Sequence, residues 1–314
     1  MKDLLRTEHL SRADIDMILA TAADFAKDPF REKHELANKT VAIYMTKPST
    51  RTRLASETAT AHLGGTPIFI RGDELQLGRG ETIADTARII SGFCSALIIR
   101  TFAQTDVDEL GKWATIPVIN ALTDDDHPTQ LLADWLTIRE NFGENIAGRK
   151  FVYLGDGNNM ANTWLIMGAI MGAHVVAATP SGKWAPSSAA VATAKKIAIQ
   201  SGATVEVTDD PENAAKGASV LYTDVWMSMG DPESERSEKS QVLAPFSVTE
   251  HLMSLTSSDS IFMHCLPAHR GEEVAASVID GTRSVIWREA FHRRTTIQSL
   301  LYHLIRGEIQ GVSH

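Results

Sequence analysis

Nine short runs of apolar, largely β-branched residues recur along this 314-residue chain, separated by longer stretches with helical spacing. The runs are VAIYM (41–45), PIFI (67–70), ALIIR (96–100) and PVINA (117–121), then FVYLG (151–155), HVVAAT (174–179), TVEVT (204–208), VLYTDV (220–225) and IFMHCL (261–266). Ile83 to Phe93 and Val191 to Ser201 are examples of the helical stretches between them. Strands apolar along their whole length are buried on both faces, and their alternation with helices implies parallel sheets. Four strands before a break and five after it predict an α/β chain with two open parallel-sheet domains. The length agrees, at roughly 150 residues per domain.

The break is Gln130 to Lys150. Leu131, Leu132, Trp135, Leu136 and Ile138 make one helical face there, and Gly143 follows as a stop signal. A helix is therefore expected to join the domains. Ile297, Leu300, Leu301, Leu304 and Ile305 predict a C-terminal helix over 295–309. Ser228 to Pro245 is charged, punctuated by Gly and Pro, and reads as a long loop with the character of a lid.

Several function classes fall away. Thirty basic against 39 acidic residues leave a net charge of −9, unsuited to nucleic acid. Cys94 and Cys265 are the two cysteines, too few for a disulfide framework or a structural zinc site. The longest uncharged apolar stretch, Trp164 to Thr179, holds Gly168, Gly172 and His174 and is shorter than the roughly 18 to 20 apolar residues of a membrane helix. The start, MKDLLRTEHL, lacks the apolar core of a signal peptide. A soluble, cytoplasmic protein without metal or cofactor is expected.

Ligands of open α/β sheets bind beyond the carboxyl ends of the strands. Six strand ends here carry polar clusters. Ser49-Thr50-Arg51-Thr52-Arg53 sets hydroxyls and guanidiniums at a helix start, where free N–H groups and the dipole attract anions. It equally describes a capped helix with a solvated basic beginning. Arg100 ends the third strand. His127-Pro128-Thr129-Gln130 offers an imidazole and a carboxamide to a carbonyl oxygen, or is a loop beside the acids Asp124 to Asp126. GDGNN (155–159) imitates a dinucleotide fingerprint, but Met160 occupies the third glycine position and no acidic ribose ligand follows. His264-Cys265-Leu266-Pro267 puts a thiol at a strand end. It could be a buried small residue or, with His127, His264 or His269 as base, a nucleophile.

STRTR, HPTQ and HCLP, in this order, resemble the anion and carbonyl motifs of the aspartate/ornithine carbamoyltransferase superfamily. Asp224 to Gly230, DVWMSMG, matches the DxxxSMG loop of its ornithine branch. The resemblance spans nearly the whole chain. It implies a carbamoyl phosphate-binding domain over 1–135, joined by the C-terminal helix (about 292–311) that returns to it, and an ornithine-binding domain over 148–291. Ser49, Thr50, Arg51 and Thr52 would cradle the phosphate, and Gln76 would reach it from a neighbouring subunit. Arg100, His127 and Gln130, with Thr52, would contact the carbamoyl oxygen or its neighbours, and Arg293 would complete the carbamoyl phosphate site. Asn159, Asp224, Ser228 and Met229 would hold ornithine, while Cys265 and Leu266 would line the junction of the substrates. Arg100, His127, Asp224 and Cys265 are thus the implied catalytic set. The implied partners are carbamoyl phosphate, L-ornithine and two further copies in a homotrimer with shared sites.

The chain departs from the family pattern in two places. STRTRxSFE reads STRTRLASE, and the C-terminal DEAENRxHxQK reads REAFHRRT, where Arg294 competes with Arg293. A related amine substrate, a cysteine hydrolase and an inactive metabolite sensor are the alternatives.

Overall fold

A computed structural model describes residues 2–75, 80–228 and 230–312. Gln76 and Met229 lie outside the described residues. The chain divides into two units, Met1–Leu136 with Phe291–His314, and Thr137–Ala290.

The first unit holds β1 (Thr40–Met45), β2 (Thr66–Arg71), β3 (Ala96–Arg100) and β4 (Val118–Leu122). They form one parallel sheet in the order β2-β1-β3-β4. β1, β3 and β4 are buried almost throughout, whereas the edge strand β2 alternates exposed and half-buried positions. That is the burial expected when helices cover both faces of a parallel sheet. The N-terminus extends the edge: Leu4 bridges Ile119, with its N–H on Val118 O at 2.9 Å. The C-terminal helix, Ile286–Ile305, packs in this unit on the helix Arg12–Lys27. Ser299 Oγ donates to Ile18 O at 2.8 Å, and His303 Nε2 pairs with Thr21 Oγ1 at 2.9 Å. Ile297, Leu300, Leu301 and Leu304 are buried, as their spacing predicts.

The second unit holds β5 (Lys150–Leu154), β6 (His174–Ala178), β7 (Thr204–Thr208), β8 (Val220–Thr223) and β9 (Ile261–His264), all parallel, in the order β7-β6-β5-β8-β9. Trp164 to Thr179 is a buried helix end followed by β6. Among the described residues, no helix is long and apolar enough to cross a membrane.

The chain passes from the first unit to the second within the helix Pro128–Phe142, which stops at Gly143 with φ of 77°. Two expected strands end early: VLYTDV leaves the ladder after Thr223, and IFMHCL after His264. The residues beyond, Asp224 and Cys265, are thereby released from sheet pairing.

The segment 228–245 differs more. It is not a structureless loop but contains the helix Arg236–Leu243, flanked by single turns at Glu233–Glu235 and Ala244–Phe246. An apolar stripe does not hold this helix. Leu243 is buried, and so is the charged Lys239, which hydropathy counts as a surface residue.

Candidate active site

Each sheet reverses its winding direction at one point. In the first unit the chain goes from β1 to β2 on one side and on to β3 and β4 on the other. In the second it goes from β5 to β6 and β7, then crosses to β8 and β9. Such switch points open a crevice at the carboxyl ends of the two central strands. The β1/β3 crevice is flanked by residues 46–52 and by Arg100. The β5/β8 crevice is flanked by 155–159 and 224–228.

At the first crevice, Ser49 caps the helix Thr50–His62 and accepts the Thr52 N–H at 3.2 Å. The helix start therefore points free N–H groups outward. Thr52 is fully buried and accepts from Arg293 Nη2 at 3.2 Å. Arg293 also donates to Gln130 Oε1, whose amide in turn donates to Asp134 at 2.7 Å. Arg100 donates to Lys47 O at 3.2 Å. His127 is buried, with Nδ1 3.5 Å from Thr129 Oγ1. Burial, and then the charges of Arg293, Arg100 and Arg51, hold His127 well below the ordinary imidazole range. A neutral imidazole surrounded by three guanidiniums can donate one N–H to a carbonyl oxygen, while the guanidiniums attract an anion. The structure thus brings together Thr52, Arg100, His127, Gln130 and Arg293, with Arg51 close enough to act on His127. Arg294 turns elsewhere, to His62 Nδ1 at 3.2 Å and Gln298 Oε1 at 2.9 Å.

A cleft of about 650 Å³ in the same unit is lined by Ser49, Thr50, Arg53, Phe69 and Arg71. It shares Ser49 and Thr50 with the set expected from the sequence. Arg53 lies over the Phe69 ring at 3.9 Å and is paired with Glu57 at 3.0 Å.

At the second crevice, Asp224 is the hub. Its Oδ1 accepts from Cys265 Sγ at 2.9 Å and its Oδ2 from Asn158 Nδ2 at 3.0 Å. Asn158 caps the helix Asn159–Ile170, its Oδ1 accepting the Met160 N–H at 2.9 Å. The sequence points to Asn159; the structure adds its neighbour Asn158, which an N-cap reading of GDGNN before an apolar helix would have found. Gly157 has a firm reason to be glycine, since a Cβ there would sit 2.1 Å from the backbone of Ala185.

The turn carrying Cys265 and Leu266 is held by two fully buried acids absent from the sequence-based set. Glu289 accepts the His264 N–H at 3.0 Å, and Glu273 faces His264 Nε2 at 3.2 Å. His264 Nδ1 accepts the Leu266 N–H at 2.8 Å. Leu266 itself sits at φ of 58°, a left-handed conformation costing a β-carbon residue on the order of 1 kcal/mol or more. Both nitrogens of His264 are occupied by these contacts, so it is poorly placed to serve as a base for Cys265. Asp224, His264 and Cys265 bring ligand atoms within 4.8 Å of one another, the geometry of a candidate soft-metal trio whose atoms are engaged in the protein hydrogen bonds just described.

Residues 2–140 match the family model for the carbamoyl-P binding domain of aspartate/ornithine carbamoyltransferase, and residues 147–304 match the model for its Asp/Orn binding domain. The chain belongs to the aspartate/ornithine carbamoyltransferase family. An ornithine carbamoyltransferase from Anoxybacillus flavithermus is 48% identical over 97% of this chain and 96% of its own length. An anabolic ornithine carbamoyltransferase from Pyrococcus furiosus is 45% identical over 98% of both. The solved ornithine carbamoyltransferase structure from Pyrococcus furiosus superposes with a TM-score of 0.92 at 44% identity, covering 98% of each chain.

The departures from the carbamoyltransferase pattern have a structural counterpart. Ser56, where the family pattern has Phe, is fully buried, and its Oγ finds no hydrogen-bond partner among the described residues. Lys47 is a buried cation absent from the set expected from the sequence. It is 4% exposed, pairs with Asp124, lies 4.4 Å from the Phe102 ring centroid, and offers its carbonyl to Arg100.

Proposed function

We propose that the protein transfers the carbamoyl group of carbamoyl phosphate to the side-chain amine of L-ornithine, giving L-citrulline and phosphate. The observation that carries this reading is the complementary charge of the two crevices. One gathers Arg51, Arg100 and Arg293 about a neutral imidazole; the other presents the Asp224 carboxylate beside Cys265. An anionic acyl phosphate suits the first, and a cationic amino acid the second. The naming of the relatives supports the same assignment.

In this scheme Ser49, Thr50, Arg51 and Thr52, with the free N–H groups of their helix start, hold the phosphate in the domain of 1–135 and 292–311. Arg293, which donates to Gln130 and Thr52, completes the carbamoyl phosphate pocket, with Gln130 beside the carbamoyl group. Arg100 and His127 donate to the carbamoyl oxygen and stabilise the oxyanion of the tetrahedral intermediate, by about 3 to 4 kcal/mol per donor. Asn159, Asp224, Ser228 and Met229 hold ornithine in the domain of 148–291. The δ-amine enters protonated, with an aqueous pKa near that of lysine, about 10.4. Asp224 orients it and receives its proton, while Cys265 and Leu266 border the reacting carbon. The amine lone pair forms the C–N bond, the surplus proton then carried by that nitrogen passes to a phosphate oxygen, and the C–O bond breaks as inorganic phosphate leaves.

We further propose a cytoplasmic homotrimer serving arginine biosynthesis, with Gln76 contributed across subunits. Ile89 and Phe93 support self-association: they lie four residues apart on the helix Ile83–Phe93 and are 51% and 81% exposed, an apolar stripe that a second copy would cover. The test of the reaction is stoichiometry. Carbamoyl phosphate and ornithine should yield citrulline and phosphate one to one; phosphate release without citrulline would refute the transfer.

A further inference from the structure

Lys239 lies on the helix Arg236–Leu243 with its side chain 3% exposed. Its Nζ is 2.7 Å from Asp156 Oδ2 and 2.7 Å from Asp231 Oδ2, and 5.1 Å from the centre of the Trp184 ring. Burial pulls this ammonium down, but the two carboxylates outweigh it and raise it above its ordinary value. A buried ion is costly, and an apolar residue would close the same space with less desolvation. A role beyond packing is therefore to be sought in what the two carboxylates hold.

They belong to different strand ends. Asp156 is in the turn after β5. Its carbonyl accepts from Tyr153 Oη at 2.9 Å, and Asn158 Oδ1 lies 3.3 Å from the same hydroxyl, sharing its one proton. Asn158 in turn donates to Asp224. Asp231 is in the segment after β8. Its Oδ2 accepts the Ser228 N–H at 2.9 Å, and its own N–H donates to Ser228 O at 3.1 Å. One ammonium thus ties the backbone at Ser228 to the turn that supports Asp224. Asp224 and Ser228 both belong to the set proposed to hold the amino acid.

We propose that Lys239 is a positioning residue for the amino-acid substrate: bridging Asp156 and Asp231, it clamps the Ser228 backbone to the 155–159 turn, so that Ser228 and Asp224 meet one ligand in fixed geometry. The inference rests on the reading of this unit as the amine-binding domain. Lys239 touches no reacting atom and acts through Asp231 and Asp156.

The test uses the full-length protein with Lys239→Met, the milder Asp231→Asn, and Lys239→Arg. Asp231 is 27% exposed at its side chain, so its neutral variant is expected to fold even if Lys239→Met does not. Losing a charge-assisted contact that orders the site should raise the ornithine KM by about tenfold or more in Lys239→Met and Asp231→Asn. The carbamoyl phosphate KM should stay within about twofold, and Lys239→Arg should recover much of the loss, since a guanidinium also pairs with carboxylates. A purely structural role predicts a lower Tm and loss toward both substrates together. A second readout needs no turnover: hydrogen exchange at the Ser228 and Asp231 amides should accelerate in the variants. An unchanged ornithine KM in every folded variant, or a parallel loss for both substrates, overturns the proposal. Wild-type protein that forms no citrulline, with exchange accelerated in the variants, overturns the substrate reading and leaves the clamp standing. Unchanged exchange overturns the clamp itself.

Discussion

Replacing Arg293 with methionine separates a binding arginine from a structural one. The guanidinium is 2% exposed, donates to Gln130 Oε1 and to Thr52 Oγ1 at 3.2 Å, and is the leading charge acting on His127. Without ligand it adds to the mutual repulsion of a cationic cluster, so its loss removes the hydrogen bonds to Gln130 and Thr52 and also relieves that repulsion. The two effects oppose each other. Net stability should change by about 1 kcal/mol, or roughly 2–4 °C in Tm for a chain of this size. With a bound anion the sign becomes clear. Two unit charges about 4 Å apart attract by roughly 4 kcal/mol at an effective dielectric near 20. Desolvation returns part of this, leaving about 2–4 kcal/mol, or roughly a 30- to 1,000-fold weaker Kd for carbamoyl phosphate. Calorimetric titration with carbamoyl phosphate and ligand-free thermal unfolding measure the two quantities separately. His127 should titrate closer to the ordinary imidazole range in the variant. A Kd within threefold of wild type, with a ligand-free Tm lowered by more than about 10 °C, would refute the cationic-cradle argument and make Arg293 a structural pillar.

His127 carries a pH signature of its own. Its folded-state proton affinity is depressed, so as pH falls through the ordinary imidazole range near 6.5 the unfolded chain takes up a proton that the folded chain refuses. Wild-type stability should therefore drop relative to His127→Asn between about pH 6.5 and 5, by at most about 1.4 kcal/mol per pH unit; parallel urea-unfolding curves at both pH values would contradict the assignment. Cys265→Ser keeps a donor for Asp224 Oδ1 and should retain kcat within about tenfold, whereas a covalent nucleophile would lose about 10⁴-fold or more. Mixing inactive Arg51→Ala and Gln76→Ala chains should restore part of the activity if sites are shared between subunits. No recovery in verified mixed oligomers would place each site within one chain.

Much of this architecture is legible because the strands are apolar throughout. β1, β3 and β5 announce themselves as continuous runs, and the residues just beyond such runs are where a parallel sheet must bind. Edge strands were legible for the opposite reason, as in β7, whose exposed Glu206 still falls within a β-branched run. The segment after Ser228 was not legible, because the helix Arg236–Leu243 is anchored by an ion triad rather than a hydrophobic face. Periodicity registers apolar residues alone, so a buried lysine looks like a surface one. The same limit hides Glu273 and Glu289, buried acids that meet the imidazole and the backbone N–H of His264. The ambiguity between Arg293 and Arg294 has a similar origin. Adjacent residues on a helix point about 100° apart, and tertiary packing decides which one meets Thr52 and Gln130. Asn158 is legible only as a helix cap, a role set by its position before the helix Asn159–Ile170 and not by the letters of GDGNN.

In the proposed reaction one crevice delivers a carbamoyl group and the other selects a cationic amino acid through Asp224. The most direct measurement is kcat/KM with carbamoyl phosphate for ornithine, lysine, putrescine, acetylornithine and aspartate side by side. Ornithine should lead each of the others by about 100-fold or more, because each alternative leaves a buried polar group unpaired, misplaces the amine, or brings the wrong charge to Asp224. Product formation with aspartate at a rate equal to or above that with ornithine would contradict the account, since it would require the Asp224 carboxylate to receive an anion.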